Sequence, residues 1–130
     1  MKIIYSNSKT EKICENSKKA IIVLGAEVAN KLSNLLNAIE AFPTLLDLKS
    51  FPQYRLHPLG YNREYQYSFV IHKGSKWRLI VYPLDEQGNI LKDKSNENEM
   101  LSKAVMVEIL EVSEHYDWGK KKGLSSRYIY

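Results

Sequence analysis

Two residues stand out as able to do chemistry: His57, in the stretch Arg55-Leu56-His57-Pro58-Leu59, and Arg78, in Trp77-Arg78-Leu79-Ile80-Val81-Tyr82. An unperturbed imidazole titrates at about pH 6.5, so it can take up or release a proton near neutrality. A guanidinium in an otherwise apolar strand is costly to bury unless it is paired or turned to a wet face. Each residue also has a plain structural reading. His57 then becomes a strand-edge ring bonded to backbone, and Arg78 the ion-pair partner of Glu108 or Glu111. A third group, Glu114-His115-Tyr116, adds a carboxylate, an imidazole and a phenol at the end of the last apolar run. Neighbouring strand residues face opposite ways, so one of these two rings reaches a common site.

The same central segment gathers Arg55, Arg63, His72, Lys73 and Lys76, and the net charge of +4 favours contact with phosphates or with an acidic partner. The single cysteine, Cys14, has no partner for an internal disulfide or a Cys-based metal site and reads as a small buried residue on a helix. No metal or other cofactor is expected. The start, Met1-Lys2-Ile3-Ile4-Tyr5, lacks a signal-peptide pattern, and no apolar run approaches the roughly 18 residues of a membrane span, so a cytoplasmic location is expected.

These groups need a scaffold, and 130 residues, 44% of them hydrophobic, suffice for one domain with a modest core. Residues 2 to 5 suit a strand, and Ser6, Asn7 and Ser8 offer caps for a first helix over 8 to 19. Val28, Leu32, Leu35, Leu36 and Ile39 recur at three- and four-residue steps between Gly25 and Pro43, which predicts a helix over 26 to 41. A helical turn is expected at 44 to 50, ending before Pro52. The period then changes. Tyr67, Phe69 and Ile71 alternate with Gln66, Ser68 and Val70, and residues 77 to 82 are aromatic and β-branched, so two strands join through the turn His72-Lys73-Gly74-Ser75. A strand is expected before them at 54 to 59 and another at 104 to 112. Residues 85 to 103 read as a polar loop insertion and 119 to 130 as a basic tail. The order implies an α+β domain, an N-terminal strand and two helices packed on a mainly antiparallel sheet of four or five strands.

Three pieces, Arg55-Leu56-His57-Pro58-Leu59, Glu64-Tyr65-Gln66-Tyr67-Ser68-Phe69 and Lys76-Trp77-Arg78-Leu79-Ile80, stand in the order and spacing of a family. Together with the upstream amphipathic helix and the 114 to 116 cluster, they make residues 2 to 118 resemble the HigB-like toxins of the RelE/ParE superfamily, from type II toxin–antitoxin systems. The resemblance implies a RelE-like fold whose concave sheet face holds messenger RNA, commonly on the ribosome. It also implies neutralisation by a helix-turn-helix, HigA-like antitoxin, through which alone operator DNA would be met.

The implied activity is that of an endoribonuclease, an mRNA interferase working without metal. The RNA 2′-hydroxyl attacks its neighbouring phosphate, so the site must remove a proton, stabilise added negative charge and protonate a leaving oxygen. By family position His57 is the acid–base group, Arg78 holds the phosphate charge, and Tyr116, with His115 as substitute, completes the site beside Glu114. Two departures stand out. The relatives' D-Y-H order of rings is exchanged here, and their lysine after the histidine motif is replaced by Gly60-Tyr61. Arg55, Arg63, Lys73 and Lys76 are then the cations left for RNA contact. Two other functions fit the same pattern: a ParE-like toxin that binds DNA gyrase without catalysis, and a non-toxic co-repressor bound to its antitoxin.

Overall fold

A computed structural model describes residues 1–114, and its architecture is α+β: one five-stranded sheet with its helices on one side. Strand β1 (Lys2–Tyr5) leads into α1 (Ser8–Glu15), capped by the Asn7 side chain accepting from the Thr10 amide at 2.8 Å. The expected single helix over 8 to 19 is broken in two. Asn16, extended at φ −120° and ψ 107°, donates its amide to Lys12 at the end of α1 and accepts from the Lys19 amide with its side chain. One asparagine thus ends α1 and starts α2 (Ser17–Leu24). Gly25 repeats the break at φ 85°, a conformation open to glycine, and α3 (Ala26–Ala41) follows.

Helix α3 buries Leu32, Leu35, Leu36 and Ile39 of the expected apolar stripe, with Ala29 buried where Val28 was expected and Val28 half-buried beside it. Helix α4 (Leu45–Lys49) starts at Thr44, whose amide donates to the Asp47 carboxylate at 3.0 Å. The strand expected over 54 to 59 shrinks to β2 (His57–Pro58), because Pro52 begins a single 3-10 turn and Arg55 turns the chain at φ 43°. Strands β3 (Tyr67–Val70) and β4 (Arg78–Leu84) form the expected antiparallel hairpin, with Gly74 at φ 87° in its turn.

The polar stretch 85 to 103 is a loop only as far as residue 96. Asn96 then caps α5 (Glu97–Ser102) by accepting from the Glu99 amide at 3.1 Å, and Met100 and Leu101 enter the core. Composition hid two buried anchors and a cap. Leu101→Ala is accordingly expected to cost about 2–5 kcal/mol, read from the shift of the urea midpoint. A change within about 0.5 kcal/mol would return this segment to the status of a surface loop.

Strand β5 (Met106–Ser113) completes the sheet in the order β1-β5-β4-β3-β2, with β1 parallel to β5 and the other pairs antiparallel. Phe69, Leu79, Val81, Val107 and Ile109 meet Leu32, Leu35, Ile39, Leu45, Leu48 and Leu101 in the main core. The other sheet face carries only a small apolar cluster of Leu59, Ile80 and Leu110. Among the described residues, no helix is long and apolar enough to cross a membrane.

Candidate functional site

The strand register decides which side chains share the open face. His57 lies opposite Ser68, Ser68 opposite Ile80, and Ile80 opposite Glu111, so one row of cross-strand pairs carries an imidazole, a hydroxyl and a carboxylate. Arg78 stands two residues before Ile80 on the same face, between Val70 and Ser113. A bulge between Ile80 and Val81 skips Leu110, which is how Glu108 and Glu111, three residues apart, come to face the same way.

Three buried side-chain atoms lack a hydrogen-bond partner among the described residues: Ser68 Oγ, Arg78 Nε and Glu111 Oε1. All three belong to this face. Glu111 Oε1 does stand 2.9 Å from Arg63 Nη2, in an ion pair without hydrogen-bond alignment. Arg63 in turn donates to Gln66 at 3.0 Å, and Gln66 donates to the Tyr82 hydroxyl at 3.3 Å. Buried polar atoms without hydrogen bonds are rare in folded proteins, and Ser68 Oγ and Arg78 Nε, beside the ion-paired Glu111, mark a sheet face suited to a polar ligand.

Arg78 uses Nη1 to grip the Ser75 and Trp77 carbonyls at 2.8 and 2.9 Å. The alternative reading, a structural ion pair with Glu108 or Glu111, is not seen among the described residues, and Glu111 stands against Arg63 instead. The guanidinium is therefore anchored by neutral carbonyls and has no acidic partner among the described residues.

His57 is half-buried, and its Nδ1 lies 3.1 Å from the Pro58 carbonyl. A carbonyl oxygen only accepts, so Nδ1 carries the proton and, in the neutral ring, Nε2 carries the lone pair. Burial holds the His57 pKa below its ordinary value of 6.5; the Pro58 hydrogen bond opposes this, while the charges of Arg55 and Arg78 reinforce it. The ring is thus neutral at pH 7 and acquires its proton only on acidification. In a titration followed by NMR, the His57 midpoint is expected below 6.5 and should rise when Arg55 is changed to Gln. A wild-type midpoint above 6.5 would contradict this electrostatic picture.

No family model, curated protein or solved structure matches this chain. The site therefore stands on its own geometry and on the motifs in the sequence.

Of the expected site residues, the structure brings His57 and Arg78 to one face, with Arg55 near enough to bear on the imidazole. Arg63 reaches this face too, tied to Glu111. Lys73 lies elsewhere, in a cleft on the helical side with Lys31, and Lys76 is exposed beside the hairpin turn. Glu114 directly follows Ser113, the cross-strand partner of Arg78. His115 and Tyr116 lie outside the described residues, as does the basic tail. Sequence reasoning missed Ser68, Gln66 and Tyr82 as members of this face. Period-2 alternation marks Ser68 and Tyr82 as turned away from the core, but only the register puts them beside His57.

Proposed function

We propose that this chain is the toxin of a type II toxin–antitoxin pair, an endoribonuclease that cleaves messenger RNA through its own 2′-hydroxyl. The observation that carries this reading is the open sheet face itself. A half-buried histidine whose Nδ1 faces the Pro58 carbonyl shares it with Arg78, which has no acidic partner among the described residues, and with the buried Ser68 hydroxyl, which has no hydrogen-bond partner among them.

In the proposed reaction His57 Nε2 takes the proton of the 2′-hydroxyl as the 2′ oxygen bonds to the adjacent phosphorus. Negative charge builds on the non-bridging oxygens, where the Arg78 guanidinium stabilises it. The bond from phosphorus to the 5′ oxygen then breaks, and that oxygen takes a proton from the 114 to 116 cluster, with Tyr116 as donor and His115 its substitute. The products are a 2′,3′-cyclic phosphate and a free 5′-hydroxyl, and RNA is required because DNA lacks the nucleophile.

A helix-turn-helix antitoxin encoded beside the toxin and messenger RNA on the ribosome are the partners in this reading. Arg55 and Arg63 supply phosphate contacts near the reacting group, and Lys76 supplies one at the edge of the sheet. The test is the chemistry of the RNA ends after induced expression. Cyclic phosphates and 5′-hydroxyls at new ends, suppressed by co-expression of the neighbouring reading frame, support the proposal. Growth arrest with intact RNA overturns it and turns attention to gyrase, and expression without arrest points to a co-repressor.

A further inference from the structure

On the helical side of the sheet, opposite to the His57 face, α3 and the β3–β4 turn frame a cleft of about 330 Å³. Its volume falls within the roughly 300–1,000 Å³ typical of small-molecule sites. Ile71, part of the main core, lies at its base, and Lys31, Asn34, Gln53, Tyr54, His72 and Lys73 line it. We infer that this cleft binds a nucleoside monophosphate, free or as one unit of a single-stranded RNA.

Charge comes first. Lys31 and Lys73 approach from two different elements, and among the described residues neither has an acidic partner. The nearby acid, Glu27, turns toward the imidazole instead: its Oε1 stands 3.1 Å from His72 Nε2, a contact that ties the hairpin turn to α3 and becomes an ion pair when His72 is protonated. Two lysines across one opening, neither in a salt bridge among the described residues, favour a dianionic group such as a phosphate.

The remaining walls suit a base. Tyr54 is half-buried, and its ring leans on Phe51, which leans on Phe42, at centroid distances of 6.2 and 5.2 Å. A ring held in this way offers a stacking surface at little entropic cost. The Asn34 and Gln53 amides make no hydrogen bond among the described residues, and each presents both donor and acceptor, as the edge of a nucleobase requires. A simple phosphate would leave this aromatic and amide wall unused, and a neutral nucleoside would leave the lysines without their anion. The inference is independent of whether the His57 face cleaves RNA.

The test is NMR titration of the full chain with adenosine 5′-monophosphate. Amide resonances at positions 31, 34, 53, 54, 72 and 73 are expected to shift together. Lys31→Glu combined with Lys73→Glu should weaken binding by about tenfold or more, while Lys92→Glu, the same type of charge change placed elsewhere, leaves it within about twofold. Tyr54→Leu is expected to reduce affinity for the nucleotide but not for inorganic phosphate. A short oligoadenylate that binds more tightly through the same resonances identifies an RNA unit as the source, and equal affinity identifies the free nucleotide. The inference is overturned if millimolar nucleotide moves none of these resonances. It also fails if the double-lysine variant binds undiminished, or if inorganic phosphate alone reproduces both the shifts and the affinity.

Discussion

His57→Ala is expected to slow RNA cleavage by about 10²- to 10⁴-fold, the usual contribution of a positioned acid–base group, and so to relieve growth arrest on induction. The expectation rests on where the ring sits. It stands on the two-residue strand β2, with its tautomer set by the Pro58 carbonyl and its proton affinity lowered by burial and by two arginines. A ring in that state accepts a proton at neutral pH without first having to lose one. Truncation at this half-buried edge position costs stability only on the order of 1 kcal/mol, so circular dichroism should show a folded variant. The decisive comparison is transcript integrity in cells making equal amounts of the two proteins. Cleavage at the wild-type rate by a folded His57→Ala protein would remove the imidazole from the mechanism and leave Arg78 without its proposed partner.

That such a site can be argued depends on elements that were unevenly visible in the sequence. Helix α3 was legible because five apolar residues repeat at helical steps between a glycine and a proline, two local signals that agree. The β3–β4 hairpin was legible for a similar reason, its alternation meeting a glycine turn. The division of the first helix at Asn16 was not, because hydrophobic periodicity runs past a residue whose side chain caps one helix while its backbone closes another. Helix α5 was missed on composition. Its signal was the Asn96 cap three residues ahead of Glu99, with Met100 and Leu101 behind, and a cap outweighs polarity when the apolar face is only two residues wide.

The site was legible only strand by strand. Alternation says that Arg78, Ile80 and Tyr82 face away from the core, and that Ser68 does too, but it says nothing about which of them are neighbours. Neighbourhood comes from the register, which sets His57 beside Ser68 and Ile80 beside Glu111. The acidic residues illustrate the limit. Strict alternation puts Glu108 and Glu111 on opposite faces, leaving one of them for Arg78; the bulge at Leu110 puts both on the open face, where Glu111 pairs with Arg63. No pattern within β5 announces that bulge, so only the fold shows Glu111 beside Arg63, and the choice between a structural and a functional arginine at position 78 falls to experiment.

Arg78→Ala tests that choice, and it should act in two ways at once. Loss of the guanidinium removes the charge proposed to face the phosphate, an effect of about 10²- to 10³-fold on the rate. It also removes one of the cations that hold the His57 pKa down, so the acid limb of the rate profile should move up toward pH 6.5. The sign follows from the base being active only when deprotonated: raising its pKa means that the rate falls off at a higher pH. Arg78→Lys keeps a positive charge, so the limb should stay near its wild-type position, while the planar fork is lost and with it part of the rate. Because Arg78 also holds the Ser75 and Trp77 carbonyls, the Ala variant sacrifices two hydrogen bonds and about 1–3 kcal/mol of stability. Rates are therefore compared at a temperature where all three proteins are folded. A slowed Ala variant with an unmoved acid limb, matched by an equally slowed Lys variant, would reduce Arg78 to an anchor for the hairpin turn; a shifted limb in Ala alone ties its charge to the histidine across the sheet.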